Sequence, residues 1–531
     1  MKINKWTENI VVFFTLLFIF YFVAHNAINA PFTVEDEYNN FKWSNANQAY
    51  PIYQNFFQTI FTAISNFLAQ GRLLVTHLVI IITRAKLFGI NPFPHHLVVF
   101  LFGVTTAFFI YKSLVKASFS KLNSFIGALI YLSGHAFSEI FFRLSSGECT
   151  GNLFLLIAIY FIISFSKNNS KLNFYLGVIF GMLAAYAKES YIILFPLLFT
   201  IPFILIETEK WKAYAIQNLH KYYLVVFCFG VLILSLFLTI HYSGIVFSYG
   251  QPLSKTETAL NNFIWLTKWF VLFIPLVILA LIHFIKIKSV NSLWPLILFS
   301  LAWLGSQILI YYKVIISFSQ GRYMMPAGLI LILLIVISLQ YIKENISKIY
   351  IFVIILVSLF ILRNFKIVYI NANEFYARAS AFNALIHKLV DEKPNKIAIY
   401  GGVEFFQSIN EHFKYNHYYP KFITTPVVFK EDHFSAYYDE SYSNELQKML
   451  NSIYEFKTLE DLKSDSSVNT MIAAEPEETY PVNYKVVMQT FKKIDRISMK
   501  FSNPGLKDLL NPTFWKGQLL NDQRTYLIFR K

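Results

Sequence analysis

The sequence predicts an all-α polytopic membrane bundle of about eleven transmembrane helices, followed by a C-terminal extracytoplasmic α/β domain. Three observations carry that prediction. Hydrophobic residues make up 56% of the 531-residue chain, 56 of them Phe, and the mean hydropathy is +0.47, more than a chain folded in water normally carries. Apolar runs of span length, about 17–25 residues, recur through the first two-thirds. Acidic residues divide unevenly, with 11 of the 31 Asp and Glu in residues 1–366 and the other 20 in residues 367–531. The membrane part is therefore placed at 1–366 and a soluble domain at 367–531, since one core seldom grows beyond about 250–300 residues.

Spans are expected near Ile10–Ala27, His96–Tyr111, Leu122–Phe142, Asn152–Phe165, Leu172–Ala187, Tyr191–Ile206, Tyr222–Tyr242, Phe263–Ile285, Leu293–Tyr311, Tyr323–Tyr341 and Ile349–Leu362. Orientation follows from lysine in the short loops, which favours the cytoplasmic side. With the N-terminus inside, every inside loop is basic: Lys2/Lys5, Lys112/Lys116/Lys121, Lys167/Lys171, Lys210/Lys212/Lys221, Lys286/Lys288 and Lys343/Lys348. This parity requires Arg72–Gly89 not to span, because a twelfth crossing would place Lys112, Lys116 and Lys121 outside. His77, Arg84 and Lys86 interrupt its apolar run, so it is read, with the amphipathic Pro51–Gln70, as lying in the interface. The first external loop then covers residues 29–95. The first span, although followed by Ala27-Ile-Asn-Ala30, is read as uncleaved.

An odd number of spans leaves residues 367–531 on the outer face. Within them, Glu374–Leu389 reads as helix and Lys396-Ile-Ala-Ile-Tyr-Gly-Gly402 as a strand and turn. Cys228 falls mid-span and Cys149 in a short loop, so a disulfide between them is not expected. The net charge of +15 is largely the cytoplasmic lysine bias and suits anionic headgroups; it is no sign of nucleic acid. No Cys/His cluster suggests a metal, so a divalent cation is possible but not indicated, and no cofactor is expected.

Asp36 is the only Asp among residues 1–366, and it sits in Val34-Glu-Asp-Glu-Tyr38 just beyond the first span. A carboxylate at the outer interface can act as a general base on an acceptor hydroxyl; the plain alternative is a solvated acidic loop. Three further features share that face. Glu148 lies in Arg143-Leu-Ser-Ser-Gly-Glu-Cys149, where pairing with Arg143 would also explain it. Lys188-Glu189 ends the fifth span, where Lys188 can bind phosphate or snorkel to the interface. Gly321-Arg-Tyr-Met-Met-Pro326 opens a late span; Arg322 can take phosphate in a fork geometry, and Tyr323 also suits the aromatic belt.

Acids in a long first external loop, an acid after the third span, a Lys at the outer end of the fifth and Arg-Tyr-x-x-Pro late in the bundle resemble the GT-C membrane glycosyltransferases. The likeness is greatest to the branch containing protein O-mannosyltransferases and lipid A aminoarabinose transferases. It covers roughly Met1–Leu362 and is one of motif order and topology. The resemblance implies a polyprenyl-phosphate-linked sugar as donor, with undecaprenyl phosphate as the carrier in a bacterium, and an extracytoplasmic glycan, lipid or protein as acceptor. It implies that Asp36 is the catalytic base, Glu37 its neighbour, and Glu148 the second acid, where the family often has Asp. Lys188, Arg322 and Arg72 would hold the donor phosphate, and Glu189, Tyr323 and Tyr38 would line the acceptor or donor pocket. The expected location is a bacterial inner membrane.

Two other readings compete. A transporter or flippase also needs many helices with ionisable residues, but it usually holds them near the midplane, and no internal repeat is found. A lipid-linked glycan polymerase or ligase would use a late external loop, here Ser243–Asn262 with Tyr249-Gly-Gln-Pro252 and Glu257. The charges at the outer interface and the acidic first loop favour the glycosyltransferase.

Overall fold

The computed structural model describes residues 5–32, 43–44, 54–134, 139–144, 146–206, 208–243, 294–310, 325–400, 466–475, 493–501 and 522–530, with pieces at 274–275, 278, 408–409, 412–413, 421–424, 455–456 and 491. The fold is mostly helical. Its helices are α1 Lys5–Ile28, α2 Phe56–Ala69, α3 Val75–Phe88, α4 Pro92–Lys116, α5 Lys121–Leu132, α6 Glu139–Phe142, α7 Gly147–Asn168, α8 Lys171–Ala185, α9 Leu194–Leu198, α10 Ile201–Leu205, α11 Trp211–Gln217, α12 Leu219–Ser243, α13 Trp294–Ile310, α14 Met325–Asn345 and α15 Ser347–Glu392.

Among the described residues, six helices are long and apolar enough to cross a membrane: α1, α4, α7, α12, α14 and α15. Their lipid-facing sides are visible in the burial pattern. On α1, Leu16, Phe20, Val23, Ala24 and Ala27 are buried at helical spacing, while Val11, Phe14, Phe18 and Phe22 are exposed, an apolar-all-round helix that needs hydrocarbon on its outer side. The chain is an integral membrane protein. Among the described residues, an extended aliphatic and aromatic core cluster runs from α1 through α4, α5, α7, α8 and α14 to α15.

Several expected spans take a different form. Tyr191–Ile206 is not one helix: it breaks into α9 and α10, because Pro196 and Pro202 each lack a backbone donor and crowd the preceding turn. Leu122–Phe142 stops as a helix at Leu132, and among the described residues that follow, Glu139–Phe142 form the short helix α6. Ile349–Leu362 and Glu374–Leu389 are parts of a single helix, the 46-residue α15. Neither Gly nor Pro interrupts it, so the helix passes unbroken through Lys366, where the acidic count had placed a boundary. Phe263–Ile285 lies outside the described residues apart from 274–275 and 278. Helices α2 and α3 have 14 residues each, about 21 Å at ~1.5 Å per residue, against a hydrocarbon thickness of about 30 Å.

At about 69 Å by the same rise, α15 reaches well past the bundle and packs on β5 and β6 of a six-stranded sheet. The strands are β1 Lys396–Tyr400, β2 Lys421–Thr424, β3 Glu455–Phe456, β4 Thr470–Glu475, β5 Lys493–Phe501 and β6 Asp522–Arg530, in the order β3-β2-β1-β4-β6-β5. β1 to β4 pair in parallel, and β6 and β5 add an antiparallel edge. Asp495 on β5 accepts from Lys388 of α15 at 3.3 Å and from Arg530 of β6 at 3.2 Å, and Arg530 also pairs with Glu392. Asn373 of α15 is hydrogen-bonded to Asn26 near the end of α1. One helix thus joins the sheet to the end of the bundle where the first loop leaves the membrane.

Candidate active site

Four charged residues meet at that end of the bundle, at the junction of the α2–α3 turn, the start of α7 and the segment after α8. Each is placed by local sequence. Ser146 stands at the N-cap position of α7, with no side-chain cap hydrogen bond, and Glu148 lies in the first turn, where the positive helix terminus favours a carboxylate. Lys188 has extended backbone and leads into the single turn Glu189–Tyr191. Gly71, at φ +72°, supplies the left-handed bend that an L side chain resists, and brings Arg72 round after α2.

The charges form two ion pairs. Lys188 Nζ lies 3.2 Å from Glu148 Oε1, with both side chains less than a tenth exposed, and Ser146 Oγ donates to Glu148 Oε2 at 2.9 Å. Arg72 Nε donates to Glu189 Oε1 at 3.1 Å, and the same oxygen accepts the Leu73 N–H at 3.0 Å. Burial raises the Glu189 carboxyl, but the charges of Arg72 and Lys188 outweigh it and hold the group below its ordinary range.

A second set of contacts locks the three segments together. Thr76 N donates to Tyr186 O at 3.0 Å. Tyr191 Oη donates to Asn152 Oδ1 at 2.7 Å and to the Glu148 carbonyl at 3.3 Å. A Cβ on Gly147 would stand 2.8 Å from the Ala187 carbonyl oxygen, so glycine permits this backbone approach. His77 Nδ1 lies 3.4 Å from Thr150 Oγ1, and Gln307 of α13 donates to Ser190 O at 3.2 Å. One turn earlier on α13, Trp303 donates to the Pro326 carbonyl at 2.8 Å. The helix therefore ties the base of α14 to the Lys188–Tyr191 segment.

Of the residues expected to form the site, the structure brings together Arg72, Glu148, Lys188 and Glu189. Glu148 pairs with Lys188. Asp36, Glu37, Tyr38, Arg322 and Tyr323 lie outside the described residues. Residues flanking the Asp36 loop are described: Phe32 packs edge-on against His95 at the start of α4, with ring centroids 5.6 Å apart, and Trp43 is buried among Ala63 of α2, Leu74 just before α3, and Leu78 and Ile81 of α3. Sequence reasoning missed Tyr191, Asn152, His77 and Gln307. Only Gly147, directly before Glu148 in a short loop, signalled a close backbone approach. No group of three or more His, Cys, Asp or Glu that could hold a metal occurs among the described residues. Cys149 and Cys228 are both free.

Residues 76–239 match the family described as dolichyl-phosphate-mannose-protein mannosyltransferase. No curated protein matches the chain. Among solved structures, it is similar to ArnT from Cupriavidus metallidurans in the apo state, at 12% identity and a TM-score of 0.48, over 99% of this chain and 98% of that one. It is also similar to ArnT from the same organism bound to undecaprenyl phosphate, at 10% identity and a TM-score of 0.49, over 98% of each chain. Glu148, Lys188, Glu189 and Tyr191 all fall inside the segment matched by the mannosyltransferase family, which covers less than a third of the chain.

Proposed function

We propose that this chain transfers a sugar from a polyprenyl-phosphate carrier to an acceptor on the extracytoplasmic side of a bacterial inner membrane. The observation that carries the reading is the junction, buried at Lys188 and Glu148 and half-buried at Arg72 and Glu189, that three separate segments of the bundle hold together. Two cations fixed at one end of a membrane bundle suit a lipid-borne phosphate, and the name of the matched family specifies such a donor. Eleven spans, with the N-terminus inside and the sheet outside, complete the proposed topology.

In the proposed reaction Asp36 takes the proton of an acceptor hydroxyl. The oxygen attacks the anomeric carbon, the bond from that carbon to the phosphate oxygen breaks, and the polyprenyl phosphate leaves carrying the bonding electrons. Because phosphate is already a good leaving group, the protein supplies mainly orientation, a base and cations for the developing charge. Lys188, Arg72 and Arg322 provide that charge. Glu148 holds the Lys188 ammonium, and Glu37, Tyr38 and Tyr323 border the sugar or the acceptor. Asp36 follows Phe32 by four residues, and Arg322 precedes Pro326 by four; both anchors pack at this end of the bundle.

The test is reconstitution of the purified chain in vesicles with synthetic polyprenyl-phosphate sugars and an envelope extract as acceptor. The release of free polyprenyl phosphate is followed by mass spectrometry. Release by the native chain and none by Asp36→Asn is expected. No release from any donor, or equal release by the variant, overturns the reading.

A further inference from the structure

Glu189 stands beside the proposed phosphate cations without being one, and its contacts are specific. A single oxygen, Oε1, accepts from the Arg72 side chain and from the backbone N–H of the next residue, Leu73. The two donors belong to a turn 117 and 116 residues earlier in the chain. The carboxylate therefore holds both the side chain and the backbone of that turn. It is the residue directly after Lys188, so the same anchor sets where Arg72 stands relative to the second cation. The Thr76 N–H on the Tyr186 carbonyl, at 3.0 Å, fixes the far end of the turn to the same segment.

From these contacts we infer that Glu189 is a positioning residue, which acts through Arg72 to set the spacing of the two cations that receive the donor phosphate. The inference rests on the proposed function, because it takes Arg72 and Lys188 to face the donor. Glu189 then touches neither sugar nor acceptor. Its removal raises the KM for the polyprenyl-phosphate sugar and leaves the KM for the acceptor unchanged. Gln, which keeps an acceptor oxygen at the same reach, retains most of the donor affinity where Ala does not. Because Glu189 reaches the donor phosphate chiefly through Arg72, most of the effect of its loss disappears once Arg72 is gone.

The experiment is a double-mutant cycle on the full-length protein in detergent, with a polyprenyl phosphate as the binding probe and donor and acceptor kinetics measured alongside. Glu189→Ala is expected to weaken binding by roughly tenfold, the middle of the range for residues coupled by one contact. Glu189→Gln is expected to remain within about threefold, and Glu189→Ala in an Arg72→Ala background to change binding by less than about twofold. Native protein that binds the probe while Glu189→Ala binds it equally well overturns this inference and leaves the proposed function standing. So do additive losses in the cycle, or a shift in the acceptor KM. Native protein that fails to bind the lipid phosphate at all overturns both.

Discussion

The ammonium of Lys188 and the carboxylate of Glu148 face each other across 3.2 Å, 5% and 2% exposed as residues. Two charges taken this far from water repay their desolvation only when the pair is intact. Removing one partner strands the other. Lys188→Met is therefore expected to destabilise the protein by roughly 3–5 kcal/mol, and Glu148→Gln added to it to recover part of that loss. Thermal unfolding of the detergent-solubilised variants measures both. A single variant as stable as the native chain would show that the pair is not formed.

Gly147 is a point of close backbone approach between α7 and the segment that carries Lys188. Because the obstacle is the Ala187 carbonyl, 2.8 Å from a built Cβ, and not a movable side chain, Gly147→Ala must push the two backbones apart. A cost of about 1–3 kcal/mol is expected, with a loss of transfer larger than the loss of folded protein. Stability and activity measured on one preparation separate the two effects.

Tyr191 bonds Asn152 and the Glu148 carbonyl through one hydroxyl, and its ring fills the space above Gly151. Tyr191→Phe keeps the ring and removes the hydroxyl. The expected loss of stability is about 0.5–1.5 kcal/mol, with reduced transfer and unchanged membrane insertion. A variant indistinguishable from the native chain in both measurements contradicts the role given to the hydroxyl.

Glu189 supplies a prediction in pH. Its carboxyl lies below the ordinary value of 4.5 in the folded protein, since Arg72 and Lys188 outweigh the effect of burial. A group with a depressed folded pKa adds stability above its unfolded pKa and loses it as pH falls through the folded one. Native protein should therefore lose stability below about pH 4.5 more steeply than Glu189→Gln does, and the two curves should run parallel at neutral pH. Parallel curves throughout contradict the Arg72–Glu189 pair.

Topology can be read by labelling single cysteines at positions 116 and 254, in a background lacking Cys149 and Cys228. Lys116→Cys should react from the cytoplasmic side only and Ser254→Cys from the outer side only. The reverse pattern overturns the eleven-span arrangement.

How much of this was legible in the sequence differs from one feature to the next. The membrane bundle could be read directly, because lipid exposure demands apolar residues on all sides of helices such as α1 and α12. Glu148 and Lys188 stood out as charges beside span ends, where ions are costly. Their pairing did not stand out, nor did that of Arg72 with Glu189, since contacts across 117 residues leave no local pattern. Tyr191 was absorbed into a supposed span because apolarity was counted ahead of Pro196 and Pro202, which divide that stretch. The continuity of α15 was hidden for the opposite reason. Its composition turns from apolar to charged at Lys366 while its backbone finds nothing to stop it.

Under the proposed function a lipid phosphate binds where Lys188 and Arg72 meet, and Arg322 and Asp36 come to stand beside it. An experimental structure with a polyprenyl phosphate bound tests it most directly. The phosphate is expected within hydrogen-bond distance of Lys188 and of at least one of the two arginines, with the Asp36 carboxylate on the side where the sugar would sit. A phosphate bound elsewhere on the bundle, or these residues scattered away from it, would rule out the proposed transfer site.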